Sequence, residues 1–176
     1  MHIETLKPNK QDQRALLDWY QREKRPLPWR LSADAYRIWI SEVMLQQTTV
    51  AAVLPYYERF LARFPNLGSL ACASEPDVFQ VWAGLGYYSR ARNLLKSAKL
   101  LHEGGFPQSY VQLIEYPGFG PYTARAVSSL AFGESVGVLD CNVIRVLCRH
   151  YGLNVSWWSA TVRNHLQRIA DAWVMG

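Results

Sequence analysis

Long apolar runs are missing from this sequence: none approaches the roughly 18 uncharged residues of a membrane span, and the opening MHIETLKPNKQDQ has no apolar h-region of a signal peptide. No membrane association and a cytoplasmic location are therefore expected. Cysteine is scarce. Cys72, Cys141 and Cys148 form an odd set of three without a C-x-x-C pair, which excludes a disulfide framework and a zinc knuckle as organising devices. With 11 glycines and 9 prolines among 176 residues the chain is neither collagen-like nor low-complexity, and no segment shows the sustained alternation of a strand. Acidic residues are outnumbered, 14 against 19 Lys and Arg, for a formal charge of +5. That excess suits a polyanionic partner without requiring one, because many basic proteins bind nothing acidic.

What the chain does have is apolar and aromatic mass: 49% hydrophobic residues, with 7 Trp and 10 Tyr, in a chain of one-domain length. Rings in such number serve core packing and base stacking alike. Helical periodicity recurs throughout. Leu16, Leu17 and Tyr20 share a stripe over 11–24, which Arg25-Pro26-Leu27-Pro28 ends. Asp34 is placed to cap a second helix carrying Tyr36, Trp39, Ile40, Val43 and Met44, which stops or bends near Thr48-Thr49. Further helices are predicted over 50–63, with Pro55 in the opening turn, and over 74–82, where Ser74 and Asp77 have capping-box spacing. Gly84 and Gly86 then break the chain. The pattern resumes over 89–103, ended by Gly104-Gly105, over a short 108–115, over 121–132 with Pro121 in its first turn, from Asp140 onward, and over 159–174. The expected architecture is all-α, about nine or ten short helices with no linker long enough to separate independent domains. Trp173, Val174 and Met175 leave an apolar end, which suggests a surface that meets further chain or a partner.

Four places carry chemistry. Segment 113–124, LIEYPGFGPYTA, reads as helix, glycine-containing hairpin and helix. Gly118 and Gly120 permit a tight backbone whose amides converge on an oxygen anion, and a phosphodiester is the natural guest; the plain alternative is a helix–helix turn. Glu42 sits in an otherwise apolar helix, either as an exposed residue or as a partly desolvated general acid. Asp140 stands at a helix start, where capping is the common explanation and a second role is compatible with it. Gln46 and Gln47 offer donors and acceptors for base edges.

Together these segments resemble the helix-hairpin-helix superfamily of base-excision DNA glycosylases and, within it, the adenine DNA glycosylases. The resemblance rests on Leu27-Pro28-Trp29-Arg30, the run WISEVMLQQT from Trp39 to Thr48, Gly84-Leu85-Gly86-Tyr87-Tyr88, the hairpin, and Leu139-Asp140-x-Asn142-Val143-x-Arg145-Val146-Leu147. It implies a helix-hairpin-helix glycosylase fold with a central bundle at 30–133, including the hairpin at 108–132, and an incomplete second lobe from 1–29 and 134–176. It further implies that Glu42 protonates a ring nitrogen of adenine and then helps to activate water, while Asp140 faces the deoxyribose and stabilises charge at the anomeric carbon. Tyr122 matches the place where bifunctional relatives carry lysine. A phenol forms no imine, so the implied reaction is a monofunctional hydrolysis that leaves an intact abasic site.

By the same resemblance Asn142 orients water or sugar beside Asp140, and Gln46 and Gln47 contact bases near the lesion. Tyr87 is the wedge beside the oxidised guanine while adenine is flipped, and Tyr88 packs next to it. Arg25, Trp29 and Arg30 line the adenine pocket and nearby backbone. Gly118, Gly120 and Thr123 belong to the hairpin that grips phosphate without reading sequence. The implied partner is double-stranded DNA with A opposite 8-oxoguanine or G, in a nucleoid-associated cytoplasmic setting, bound by a monomer or by a chain that further C-terminal polypeptide completes.

Two departures stand out. Cys141 replaces a family glycine next to Asp140, where its thiol would crowd the sugar or shift the carboxylate. Relatives continue with two more helices, four cysteines holding a [4Fe-4S] cluster and usually a domain that recognises 8-oxoguanine. The three cysteines here do not match those ligands, so no metal or cofactor is expected on this chain and the cluster only in a full-length relative. Arg90, Arg92, Lys96 and Lys99 either contact phosphate or face solvent. Two other functions stay open: a DNA-binding fragment without turnover, and a related glycosylase for oxidised pyrimidines, which Tyr122 and the Glu42 segment disfavour.

Overall fold

The computed structural model describes residues 3–174. They form α1 (Lys10–Glu23), α2 (Ala35–Leu45), α3 (Val50–Arg63), α4 (Leu67–Ala71), α5 (Glu75–Trp82), α6 (Tyr88–Gly104), α7 (Tyr110–Leu113), α8 (Pro121–Phe132), α9 (Cys141–His150) and α10 (Ala160–Val174), with 3₁₀ turns at Ile3–Thr5 and Pro28–Arg30. No strand occurs among the described residues, so the chain is all-α as its periodicity predicts. It divides into two compact units, Pro28–Glu134 on one side and Met1–Leu27 with Ser135–Gly176 on the other.

In the first unit α2 is the central helix. Seven of its eleven residues are buried, Trp39, Ile40 and Met44 to 1% exposure or less, as expected of a helix apolar on nearly every side. It packs against α3 and α8, while α6 packs against α4 and α5. Tyr57, Phe60, Trp82, Leu94, Leu101 and Leu113 complete the core. The caps are written locally. Asp34 accepts from the Arg37 amide at 2.9 Å, and Ser74 and Asp77 form a reciprocal capping box at the start of α5. Three elements differ from the sequence expectation. Helix α4 was not predicted, because five residues including Gly68 carry too little periodicity; Asn66 and Ser69 make it with a second capping box. Helix α7 is a single turn of four residues, shorter than 108–115. Pro55 lies in the second turn of α3 rather than its first.

In the second unit α9 and α10 enclose Ile144, Leu147, Leu166, Ile169 and Ala170. Gly137 makes that packing close: its amide donates to Asp171 Oδ1 at 2.9 Å, and a Cβ there would stand 2.4 Å from the Ala170 carbonyl oxygen. Helix α1 forms as predicted, but none of its residues is buried, and Leu16 and Leu17 are 45% and 61% exposed. Periodicity marks which side of a helix is apolar, not whether another element covers it. Leu16 borders a groove of about 530 Å³ with Val138, Val146, Trp173 and Val174. Trp173 is not the exposed ring its position suggests: it is half-buried, 5.2 Å from the His150 ring. Val174 is exposed, and Met175 lies outside the described residues. No described helix is long and apolar enough to cross a membrane.

Candidate nucleic-acid interface and active site

The hairpin between α7 and α8 is anchored from below. Phe119 is 3% exposed and stacks on Trp39 with ring centroids 5.1 Å apart, while Gly118 and Gly120 on either side of it are exposed. The Ser97 hydroxyl donates to the Pro117 carbonyl at 2.6 Å. Gly118 needs to be glycine. Its φ is +83°, and a Cβ would stand 2.9 Å from Asn93 Cβ. Gly120 has an ordinary φ of −75° and open space around it, so its freedom is not a backbone requirement. It is the N-cap of the twelve-residue α8, makes no side-chain cap hydrogen bond, and leaves its backbone exposed at the positive end of that helix.

Glu42 is half-buried, flanked on α2 by the fully buried Ser41 and Val43. Because α2 packs on α8, the hairpin is built against the helix that carries this carboxylate. Gln46, at the C-cap of α2, donates its side-chain amide to the Thr123 hydroxyl at 3.3 Å. Thr123 is 2% exposed and therefore ties the hairpin helix to α2 rather than lying open on the surface. Tyr122, one residue earlier, is 37% exposed.

Gln47 and Tyr87 are the described non-glycine residues with positive φ, +59° and +51°. Both are exposed, Tyr87 to 61%. A left-handed backbone is uphill for a residue with a Cβ, and such residues concentrate at functional loops. Tyr88 packs edge-to-face on Phe79 at 5.1 Å. Trp29 is 7% exposed, a core ring set against Tyr57 at 5.1 Å, and the neighbouring Arg30 is exposed. Of the four basic residues on α6, Arg92 pairs with Glu75 at 3.0 Å, Lys96 and Lys99 face solvent, and Arg90 is drawn inward. Sequence reasoning missed that role for Arg90 and the seat that Asn93 gives Gly118. The glycine-broken 84–86 loop just ahead of Arg90 is the signal that could have pointed to it.

The second unit carries Arg25, exposed in the turn after α1, and Asp140 with Asn142 at the start of α9. Asp140 caps that helix: Oδ1 accepts from the Val143 amide at 2.7 Å and Oδ2 from Asn142 Nδ2 at 3.1 Å. Both oxygens are thus held by donors at a helix N-terminus, which fixes the orientation of the carboxylate. Cys141 is exposed, so its thiol stands clear of the packed interior of its unit. Among the described residues no group of three or more His, Cys, Asp or Glu side chains is placed to hold a metal ion.

Comparison with known proteins agrees with the all-helical fold. Residues 40–171 match the family model described as HhH-GPD superfamily base excision DNA repair protein. The adenine DNA glycosylase of Rattus norvegicus is 46% identical over 170 residues, covering 90% of this chain and 33% of that protein. The adenine DNA glycosylase of Homo sapiens is 46% identical over 169 residues, 89% of this chain and 31% of that protein. That of Buchnera aphidicola subsp. Baizongia pistaciae is 44% identical over 145 residues, 80% of this chain and 41% of that protein. The chain thus spans about a third to two fifths of the length of these relatives. Among solved structures, a thermostable thymine-DNA glycosylase superposes with a TM-score of 0.78 at 25% identity, over 94% of this chain and 83% of that one. A trapped covalent intermediate of endonuclease III with DNA gives 0.71 at 25% identity, over 96% and 82%. The chain belongs to the HhH-GPD superfamily of base excision DNA repair proteins.

Proposed function

We propose that this chain is the catalytic part of a monofunctional adenine DNA glycosylase, hydrolysing the N-glycosidic bond of adenine opposite 8-oxoguanine, or opposite G, in duplex DNA. The observation that carries the reading is Glu42, a half-buried carboxyl on a largely buried helix packed against the hairpin helix. The names of the relatives support adenine as the base.

On this reading the exposed Gly118–Gly120 backbone, at the positive end of α8, takes phosphate oxygens and fixes register. Gln47 contacts bases near the lesion, and Tyr87 enters the stack while the adenine leaves it. Glu42 gives its proton to a ring nitrogen, so the glycosidic electron pair departs with a neutral base. Asp140, pinned by Val143 and Asn142, faces the positive charge that develops on the sugar. Water then adds to the anomeric carbon, and its proton returns to Glu42. Tyr122 offers no amine, so the backbone stays intact. No step runs through a metal; an iron–sulfur cluster, where a longer relative carries one, takes its ligands from outside these residues. The working form is a monomer on the DNA, in the nucleoid-bearing compartment.

A panel of duplexes tests the assignment: A opposite 8-oxoguanine, A opposite G, and an oxidised pyrimidine opposite G. Free adenine from the first two, with strand breaks appearing only after alkali, is the expected result. Strand scission without alkali on the third would replace this reading with the oxidised-pyrimidine one. Duplex binding with no release on any would leave a DNA-binding fragment.

A further inference from the structure

Arg90 lies in the first turn of α6, and its guanidinium is turned away from solvent. Nη1 donates to three carbonyls at the end of α2, those of Val43 at 2.9 Å, Met44 at 3.1 Å and Gln46 at 2.6 Å. Nη2 donates to the carbonyls of Leu85 at 3.4 Å and Gly86 at 3.3 Å. The rings of Trp82 and Tyr87 lie 5.6 Å and 5.2 Å from its Cζ. The last carbonyls of a helix lack internal partners and carry the negative end of its dipole, so a fixed cation is the natural cap. Burial pushes this guanidinium below its usual pKa range, a cost that five charge-assisted hydrogen bonds offset. The residue that follows each set of carbonyls is a left-handed one: Gln47 after Gln46, and Tyr87 after Gly86.

We propose that Arg90 is a positioning residue, which ties the end of α2 to the 85–86 loop and thereby holds Gln47 and Tyr87 in their left-handed conformations. The backbone restraint stands on the geometry alone. Its consequence, that Arg90 aims the two side chains that meet the duplex, rests on the function proposed above. A lysine keeps the charge but presents one compact ammonium, which does not span both sets of carbonyls.

The test pairs glycine and alanine replacements at the two strained positions, because glycine accepts a positive φ and alanine resists it. In the otherwise wild-type chain, Gln47→Gly and Tyr87→Gly should each have a higher urea midpoint than Gln47→Ala and Tyr87→Ala. In the Arg90→Lys background that difference should shrink by about half or more. Equal midpoints in the wild-type background, or the same difference in both, would overturn the restraint; the first comparison needs no Arg90 variant to fold. The DNA arm uses a duplex with 2-aminopurine at the adenine position opposite guanine. Arg90→Lys should lose about tenfold of the fluorescence rise on binding, with affinity for an unmodified duplex within about twofold, since phosphate contacts are untouched. An undiminished rise would overturn the role in base extrusion. No rise with the wild-type chain would overturn that role together with the proposed function, while the glycine–alanine comparison would still decide the restraint.

Discussion

Gln46 and Thr123, 77 residues apart in the chain, meet through a hydrogen bond of 3.3 Å that joins the end of α2 to the start of α8. The helix carrying Glu42 and the helix that follows the hairpin are thereby tied together. Thr123 is buried, so Thr123→Val strands the Gln46 amide and should cost about 1 kcal/mol of stability. Urea unfolding of Thr123→Val, Gln46→Ala and the double variant checks this: the two losses should not add.

The hairpin glycines should behave differently from one another. Gly118→Ala forces a Cβ against Asn93 at a φ of +83° and should cost about 1–3 kcal/mol. Gly120→Ala meets open space at a φ of −75° and should be neutral or stabilising by about 0.5 kcal/mol. A loss of duplex affinity in Gly120→Ala without a loss of stability would then report the crowding of an approaching phosphate. Thermal unfolding and duplex titration of both variants separate the two effects.

Much of this was legible in the sequence wherever the determinant is local. Asp34, Ser74 and Asp140 announce their helices because a capping oxygen acts within three residues, and α8 is marked by Pro121. The determinants that could not be read are tertiary. Arg90 looks like one more solvated cation on α6: the glycine-broken loop ahead of it marks a turn, but its chain neighbours do not show that α2 ends beside it. Gln47 and Tyr87 occupy backbone conformations that sequence assigns to glycine, each next to a carbonyl that Arg90 holds. Trp29 and Thr123, placed by the resemblance at the DNA, are buried side chains that support the site from within.

Asp77 gives the fold a defined acid response. Hydrogen bonds from the Ser74 hydroxyl and amide, with Arg63 adding its charge, hold its carboxyl below the usual range. A depressed folded pKa contributes stability that is complete above the unfolded value near 3.9 and is lost as pH falls through the lower folded value. Asp77→Asn should therefore flatten the decline of the urea midpoint below about pH 4, and a pH series on both chains measures it.

The cysteines should label in a fixed order. Cys72 and Cys141 are exposed, whereas burial pushes the Cys148 thiol up, so iodoacetamide should reach the first two well before the third. Mass spectrometry of timed samples gives the order. A bulky maleimide on Cys141, next to Asp140, should slow base release by about 100-fold, and Cys141→Gly should remove that sensitivity while keeping activity.

The role proposed for Glu42 is to deliver the proton that releases adenine. Single-turnover release from a labelled duplex with A opposite 8-oxoguanine, followed by alkali, measures it directly. The account predicts alkali-dependent cleavage with the wild-type chain and a fall of about 10²–10⁴-fold in Glu42→Gln, whose amide is no acid. Equal rates for the two chains, or no alkali-labile site from a folded wild-type chain that binds the duplex, would contradict it.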